Sequence, residues 1–189
     1  MDLDERIRNC KKCELYKTCK QPIPWDWNKD AKILFVWEAP WAEEDKQWKP
    51  FVGRSWKFLD EILWELNLTR QKDYYITNIV KCRPPNNQDP TKEQIQTCSP
   101  YLLEQLKNWN FKIIVTLGRF SMNFFIDELQ ISKDHWKIFK IIEFAWEKFK
   151  DWLFLLPSYH PAAALYSPSK KDLIKKDLMQ LQKLVEKLI

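Results

Sequence analysis

Short apolar runs alternate with helical patterns along the first half of the chain. The run AKILFVW at 31–37 is typical of a buried strand, and residues 52–66 follow with apolar side chains at helical spacing. The order recurs with YYITNIVK at 74–81 and a helix that Thr91 and Gln94 open as a capping box. Two strand–helix units are therefore predicted in this half.

The second half continues the alternation. KIIVTLG at 112–118 precedes a helix predicted over 119–129, and strand-like stretches at 136–144 and 153–157 precede a last helix that Ser169 can cap. One apolar stripe runs along that helix, formed by Leu173, Leu178, Leu181, Val185 and Leu188. This stripe is most simply core packing.

Alternating strands and helices predict an α/β fold, a three-layer α/β/α arrangement with a central, mostly parallel sheet, as a single domain over residues 1–189. Ligands of such folds bind beyond the carboxyl ends of the strands. WEAPW at 37–41 follows the first strand, Asn78 lies late in the second, and SYHPAAAL at 158–165 follows the last. We therefore expect the functional residues at this edge of the sheet.

Charge and hydropathy narrow the class of protein only slightly. Lys and Arg number 31 against 26 Asp and Glu, a net charge of +5, which mildly favours polyanionic partners. No apolar run approaches the roughly 18 to 20 residues of a membrane span, and the charged start MDLDERIR has no signal-peptide core. We expect a cytoplasmic protein that does not enter the membrane.

Glycine is scarce and tryptophan abundant. The chain has two glycines, Gly53 and Gly118, and eleven tryptophans. Average usage would give about 13 glycines in a chain of this length. An α/β domain needs glycine where turns and helix ends take positive φ. Tryptophan is thus present in roughly the numbers in which glycine is expected.

Five cysteines offer a metal site. Cys10 and Cys13 form a C-x2-C pair that brings two thiolates within reach of one metal centre, and Cys82 and Cys98 would complete a set of four. Zinc and an iron–sulfur cluster both accept four thiolates, so the spacing does not separate them. Ordinary free thiols are the alternative, and Cys19 has no obvious partner.

Acidic, aromatic and imidazole side chains follow the first and last strands. Glu38, Glu44 and Asp45 can position water or stabilise a developing positive charge, and Phe51 offers a stacking platform. His160 lies between Tyr159 and a proline that restrains the backbone, so its ring can be held toward a cleft. The alternatives are solvated carboxylates and a structural histidine.

Read in order, these segments resemble the family 4 uracil-DNA glycosylases, the iron–sulfur members of that superfamily, over nearly the whole chain. The motifs are the N-terminal cysteine pair, WEAPWAEED, KPFVGRSWKFLDEIL, YITNIVKCRPPNNQDPT, CSPYL, IIVTLGR and LPSYHPAAAL. The resemblance implies a uracil-DNA glycosylase-like fold. It also implies a base excision repair enzyme that flips uracil out of DNA and hydrolyses its N-glycosidic bond, leaving an abasic site.

The resemblance also implies roles for single residues. His160 would donate a hydrogen bond to uracil O2, Asn78 would read the Watson–Crick edge, and Phe51 would stack on the ring. Glu38 would be the carboxylate nearest the sugar, with Glu44 as a second candidate that also lines the side excluding thymine's methyl group.

Further positions follow from the same resemblance. Ala39, expected to line the base, occupies the position where the best-known superfamily relatives carry an aspartate, and alanine cannot activate water. The loop from Pro161 to Leu165 would enter the DNA minor groove, with Leu165 as a wedge or, alternatively, in ordinary packing. Three basic residues would meet phosphates: Arg54, Lys81 and Arg83.

The resemblance makes the four-thiol site a 4Fe-4S cluster on Cys10, Cys13, Cys82 and Cys98, which ties the N-terminal segment into the domain. The expected partner is uracil-containing DNA, and the expected state is a monomer. Two alternatives are a non-catalytic nucleic-acid-binding protein with a four-cysteine zinc site and a sister glycosylase acting on another deaminated base.

Several tryptophans fall where the family carries glycine. The family motifs GEAPG and PFVGRSG are written here with Trp37, Trp41 and Trp56, and Trp48 falls on a further glycine between them. Trp25 and Trp27 lie in a segment where glycine is usual, Trp136 falls at a turn, and the remaining four are compatible with glycine: Trp64, Trp109, Trp146 and Trp152. We hypothesise that the gene belongs to a lineage that reads the UGA codon as glycine, and that the native protein has glycine where tryptophan is written. Tryptophan at 37 and 41 would crowd the pocket and leave the chain as written poorly active or misfolded.

Overall fold

The structure is a computed structural model that describes residues 2–24, 26–48, 52–145 and 147–188. Its centre is a six-stranded sheet in the order β1-β3-β2-β4-β6-β5. The strands are β1 Asp26–Trp27, β2 Ile33–Trp37, β3 Tyr74–Asn78, β4 Ile113–Leu117, β5 Phe139–Phe144 and β6 Glu147–Ser158. The four central strands run parallel, and β1 and β5 pair antiparallel at the two edges. The predicted mostly parallel α/β sheet is confirmed.

Eight α-helices in the described residues connect and cover the strands. They are α1 Leu3–Arg8, α2 Ala42–Gln47, α3 Arg54–Glu65, α4 Lys92–Asn108, α5 Arg119–Phe125, α6 Ile131–Asp134, α7 Ala163–Tyr166 and α8 Pro168–Leu188. Short 3-10 turns lie at Glu14–Lys17 and Pro85–Asn87. None of the helices in the described part of the chain has the length and apolar character that crossing a bilayer requires.

Side chains of the central strands alternate between two cores, one on each face of the sheet. In β2, Phe35 belongs to the core under α3 and α8, whereas Leu34 and Val36 belong to the core under α1, α4 and α5. This alternation follows from the period of two along a strand, and apolar residues on both faces explain the continuous apolar runs in the sequence.

The strand predicted over 136–144 begins later, at Phe139, and the one predicted over 153–157 begins earlier, at Glu147. Two predicted helix boundaries were wrong for local reasons. The helix predicted over 119–129 ends at Phe125, because the Asn123 amide donates to the carbonyls of Asp127 (2.7 Å) and Leu129 (2.9 Å) and turns the chain away from the helix axis. Ser169 does not cap the last helix. That helix starts one residue earlier at Pro168, which lacks an N–H and suits a first helical turn.

Two tryptophans adopt the left-handed backbone conformation. Trp48 ends α2 at φ 55°, and Trp136 follows α6 at φ 70°. Both side chains are largely exposed, at 58% and 50%. A left-handed conformation costs a non-glycine residue roughly 1–2 kcal/mol, and glycine is the usual residue at a left-handed helix end.

Candidate active site

The carboxyl ends of three parallel strands bring the predicted residues to one edge of the sheet. Asn78 ends β3 and pairs in register with Trp37, the last residue of β2, so Glu38 follows beside it. β6 ends at Ser158, which pairs with Leu117 of β4, and the chain then leads directly to His160. The expectation that these residues share one edge of the sheet is confirmed.

His160 is held in one neutral form by its surroundings. The backbone N–H of Ala162 donates to Nδ1 at 3.1 Å, so Nδ1 is the acceptor and Nε2 carries the proton. Burial lowers the pKa of His160 to about 3. Nε2 itself is buried and has no hydrogen-bond partner among the described residues. The ring therefore presents an unused N–H donor inside the site.

Asn78 also presents an unused polar atom. Its Oδ1 is buried and has no partner within the described ranges, while its backbone carbonyl accepts from Lys81 Nζ at 2.7 Å. A buried amide without a partner is costly unless a ligand satisfies it. Asn78 and His160 thus supply two unsatisfied groups at the same sheet edge.

Three indole rings surround the His160 imidazole. The ring centroids of Trp37, Trp41 and Trp56 lie 4.4, 5.2 and 5.4 Å from that of His160. Trp37 also lies 4.9 Å from each of the other two indoles. These distances are those of aromatic rings in direct contact. The space in front of His160 is therefore occupied by tryptophan side chains.

The two candidate carboxylates differ in their environments. Both oxygens of Glu44 accept backbone N–H groups, Oε2 from Trp41 and Oε1 from Val52, each at 3.1 Å. Trp56 adds a side-chain hydrogen bond to the same carboxylate. Glu44 thereby ties Val52, shortly before α3, to the start of α2.

Glu38 has a perturbed acidity. Burial, helped by the nearby charge of Asp89 and opposed by Arg119, raises the pKa of Glu38 to about 7. A carboxyl group with a pKa near the working pH in a half-buried site is typical of proton transfer or charge stabilisation.

Four thiols border one small cavity between the N-terminal segment and the chain after β3: those of Cys10, Cys13, Cys82 and Cys98. The backbone N–H of Lys81 donates to the sulfur of Cys98 at 3.2 Å. Cys19, for which the sequence suggested no partner, hydrogen-bonds to Cys82. That bond lowers the pKa of Cys19 and, together with burial, raises that of Cys82. Within the described residues, no group of three or more His, Cys, Asp or Glu side chains is arranged to hold a single metal ion.

The remaining predicted residues occupy varied positions. Phe51 lies outside the described residues. Ala39 and Pro161 are buried, whereas Arg54 at the start of α3 is exposed and Leu165 in α7 is 43% exposed. Leu165 therefore lies on the surface, where a partner can reach it.

Lys81 is fully buried, so the expectation that it meets phosphates was wrong. Its ammonium donates to Thr77 Oγ1 (2.7 Å), the Asn78 carbonyl (2.7 Å) and Gln105 Oε1 (2.8 Å). Burial lowers the pKa of Lys81 to about 7. Arg83, by contrast, is half-buried and donates to Asn87 Oδ1 at 2.8 Å. A chain pattern alone does not distinguish a buried lysine from an exposed one.

The sequence analysis also missed a buried polar cluster beside His160. Asp177 of α8 is fully buried and contacts both Ser158 and His135. The available signal was the position of Asp177 in the apolar stripe of the last helix, between Ile174 and Leu178, where a carboxylate has to find partners.

The chain is an α/β enzyme of the uracil DNA glycosylase superfamily, whose family model matches residues 24–188. The chain is 36% identical over 178 residues to the type-4 uracil-DNA glycosylase of Saccharolobus solfataricus, covering 94% of this chain and 82% of that protein. It is 37% identical to the Sulfurisphaera tokodaii enzyme of the same name, covering 96% and 83% of the two chains. For the Archaeoglobus fulgidus enzyme the identity is 38%, over 98% and 93%. The chain belongs to the type-4 uracil-DNA glycosylases.

Proposed function

We propose that the protein removes uracil from DNA by hydrolysing the bond between uracil N1 and deoxyribose C1′, leaving an abasic site. The observation that carries this proposal is the presence of a neutral, buried His160 donor and the unpartnered Oδ1 of Asn78 at one sheet edge. The family and the type-4 relatives named above support the same activity. The target nucleotide must first leave the base stack, at a cost of a few kcal/mol.

His160 stabilises the leaving group. When the glycosidic bond breaks, its electron pair departs with uracil, and negative charge develops on the base. The Nε2–H of a neutral imidazole donates to uracil O2 as this charge forms, in the manner of an oxyanion hole. A low pKa keeps the ring neutral, so that it stabilises the anion as a hydrogen-bond donor without protonating it.

Glu38 serves the sugar side of the reaction. Cleavage leaves positive charge at C1′, and water then adds its oxygen to that carbon and loses a proton to solvent, which balances the charge of the departing uracil anion. As a carboxylate, Glu38 stabilises the cation or orients the water, which requires the group to be ionised above its pKa of about 7. Glu38 is favoured over Glu44 because backbone amides occupy both oxygens of Glu44.

Asn78 reads the base. Its amide combines a donor and an acceptor, which distinguishes uracil from cytosine on the Watson–Crick edge. We propose that Phe51 stacks on the ring, that Ala39 lines the base, and that Glu44 holds the loop on the side that excludes thymine's methyl group.

The four thiols are proposed to hold a 4Fe-4S cluster. Cys10, Cys13, Cys82 and Cys98 border one cavity, and cluster coordination by four thiolates suits this donor set. When bound, the cluster cross-links the N-terminal segment to the chain after β3. We assign it a structural role at a distance from the sugar.

DNA contact is proposed for the surface beside His160. Leu165 in α7, which begins at Ala163 directly after the His160–Pro161–Ala162 turn, is the wedge that fills the gap left by the flipped base. Arg54 is exposed and meets a phosphate, so binding weakens as salt rises. We further propose that the protein acts as a monomer in the cytoplasm, because flipping one base needs one pocket.

The native protein is proposed to carry glycine at the tryptophan positions. Two kinds of observation support this: indoles at 37, 41 and 56 fill the space in front of His160, and Trp48 and Trp136 occupy left-handed conformations. Mass spectrometry of peptides from the native protein decides the point, and tryptophan at position 37 or 41 overturns it.

Uracil release from a duplex carrying one uracil tests the function. The glycine version, in which all eleven tryptophans are replaced by glycine, should release uracil from this duplex and leave a thymine control intact. His160→Ala should slow single-turnover release by roughly 10² to 10³-fold, as expected for loss of one stabilising donor. Ile142→Ala, on the edge strand β5 and exposed, is the matched control. A folded glycine version that releases no uracil would rule the proposal out.

A further inference from the structure

A buried carboxylate on α8 is joined to the chain that carries His160. Asp177 is fully buried, and its Oδ2 accepts from Ser158 Oγ at 2.9 Å. Its Oδ1 lies 2.9 Å from His135 Nδ1, which donates to it. The backbone N–H of Tyr159 is a further donor to the same carboxylate. Two of these three donors come from the residues immediately before His160.

The hydrogen bonds to this carboxylate offset the free-energy cost of burying it. Desolvation raises the pKa of Asp177, and the bonds from His135, Ser158 and Tyr159 oppose that rise. A buried acidic group without such partners would be strongly destabilising. The cluster is therefore a set of mutually dependent groups, in which each donor has a fixed place.

The other contacts of the His160 segment complete a frame around it. The backbone N–H of Gly118 donates to the Ser158 carbonyl at 2.9 Å, and a Cβ at position 118 would lie 3.4 Å from the His160 Cβ. The Ala162 N–H holds Nδ1 from the far side of the turn. The residue after β4 thus fixes the segment from one side and α8 from the other. Among the described residues, Asp177 is the α8 side chain that hydrogen-bonds to this segment.

We propose that Asp177 is a positioning residue that sets the orientation of the His160 ring through Ser158 and Tyr159, with His135 as the third donor that holds the carboxylate in place. This inference rests on the proposed function for its catalytic consequence, but not for the orientation itself. Asp177 does not touch the substrate. Its effect on the reaction passes through the direction in which His160 Nε2–H points.

Nitrogen NMR of the chain with its tryptophans measures the tautomer of each histidine ring. The tautomer of His160 reports whether its ring keeps the orientation in which Nδ1 accepts from the Ala162 N–H. The protein contains two histidines, so Asp177→Asn can be followed at both rings, and the signals that His160→Ala removes are assigned to His160. The parent should show His160 as a single Nε2–H tautomer. Asp177→Asn keeps the size but places an amide against donors, so the His160 signals should move toward a mixture of tautomers. Ser158→Ala, which removes one donor only, should cause a smaller shift in the same direction.

Two controls separate positioning from stability. Asp172→Asn makes the same change at an exposed position of the same helix and should leave the His160 signals unchanged. Leu181→Ala removes a fully buried side chain from that helix and should lower stability while leaving the tautomer intact. If Asp177→Asn lowers stability as Leu181→Ala does and leaves the His160 signals unmoved, the inference is wrong.

The effect of Asp177 on the reaction is measured in the glycine version, as the single-turnover rate of uracil release. Asp177→Asn should lower the single-turnover rate by roughly 10 to 100-fold with little change in DNA affinity, because a misplaced donor affects the transition state more than binding. In a His160→Ala background the same change should have no further effect on the rate. An unchanged rate with shifted His160 signals overturns the catalytic consequence. Shifted signals in a glycine version that releases no uracil would refute the proposed function while leaving the positioning role in place.

Discussion

Replacing Trp37, Trp41 and Trp56 together by glycine should convert an almost inactive chain into an active one. In the proposed mechanism uracil places its O2 within hydrogen-bonding distance of His160 Nε2, yet the nearest indole centroid is 4.4 Å from the imidazole centroid. A third ring does not fit between two rings in contact. The base can therefore enter only if indoles leave.

The cost of that displacement follows from burial. Trp37 and Trp56 are 3% and 1% exposed, whereas Trp41 is 38% exposed and can move aside at little cost. Removing a fully buried large aromatic side chain from its packing costs about 3 kcal/mol or more. Displacing both buried indoles thus costs about 6 kcal/mol, on the order of 10⁴ in rate at about 1.4 kcal/mol per factor of ten.

The assay is single-turnover uracil release from one oligonucleotide, with the strand cut at the abasic site by alkali. We expect the triple glycine variant to exceed the written chain by about 10⁴-fold, on the burial argument above. Trp64→Gly is the matched control, because Trp64 is 72% exposed on α3 and should give no gain. Equal rates for the written chain and the triple variant would refute the argument that the indoles block the site.

Three further predictions address the backbone, the carboxylate and the cysteines. Trp48→Gly should raise the free energy of unfolding by about 1 kcal/mol in urea, since it relieves a left-handed tryptophan whose side chain is mostly exposed; a loss of stability would contradict this. In the glycine version kcat/KM should rise with pH as Glu38 ionises, because burial holds the pKa of this carboxyl group above its ordinary value. Asp89→Asn removes a charge that raises the pKa of Glu38, so the midpoint should move to lower pH, and an unmoved midpoint would exclude Glu38 as the titrating group. Cys98→Ser should abolish the broad visible absorption of an iron–sulfur cluster, whereas Cys19→Ser should retain it; a colourless parent protein would argue for zinc or free thiols.

The sequence predicted the parts of this fold that depend on local pattern. Apolar runs located β2, β3 and β4, and the capping box placed the start of α4, where Thr91 Oγ1 accepts from the Gln94 N–H at 3.2 Å. The end of α5 was missed because it depends on the Asn123 amide reaching carbonyls up to six residues ahead. Such a contact forms only in the folded chain, and no periodic pattern in the sequence predicts it.

The candidate site likewise has features that local sequence pattern predicts and features that depend on contacts in the folded chain. The position of Glu38 and His160 at one edge of the sheet was predicted, because parallel strands place their carboxyl ends together. The burial of Lys81 and Asp177 was not predicted, because each also has a partner distant in the chain: Gln105 for the lysine and His135 for the aspartate. A charged residue becomes buried only when a tertiary structure supplies such partners, and a sequence pattern does not contain that information.

The backbone and the pocket support glycine at the tryptophan positions by independent physics. Both glycines of the chain have positive φ, Gly53 at 111° before α3 and Gly118 at 97° before α5. Trp48 and Trp136 also have positive φ, but tryptophan does not adopt this conformation freely as glycine does. Crowding around His160 concerns side-chain volume and not φ, so an error in one argument would leave the other standing. Genuine tryptophans would need separate explanations for strain at exposed turns and for a filled site. Glycine explains both, because it lacks the Cβ that makes a left-handed turn costly and the side chain that closes the pocket.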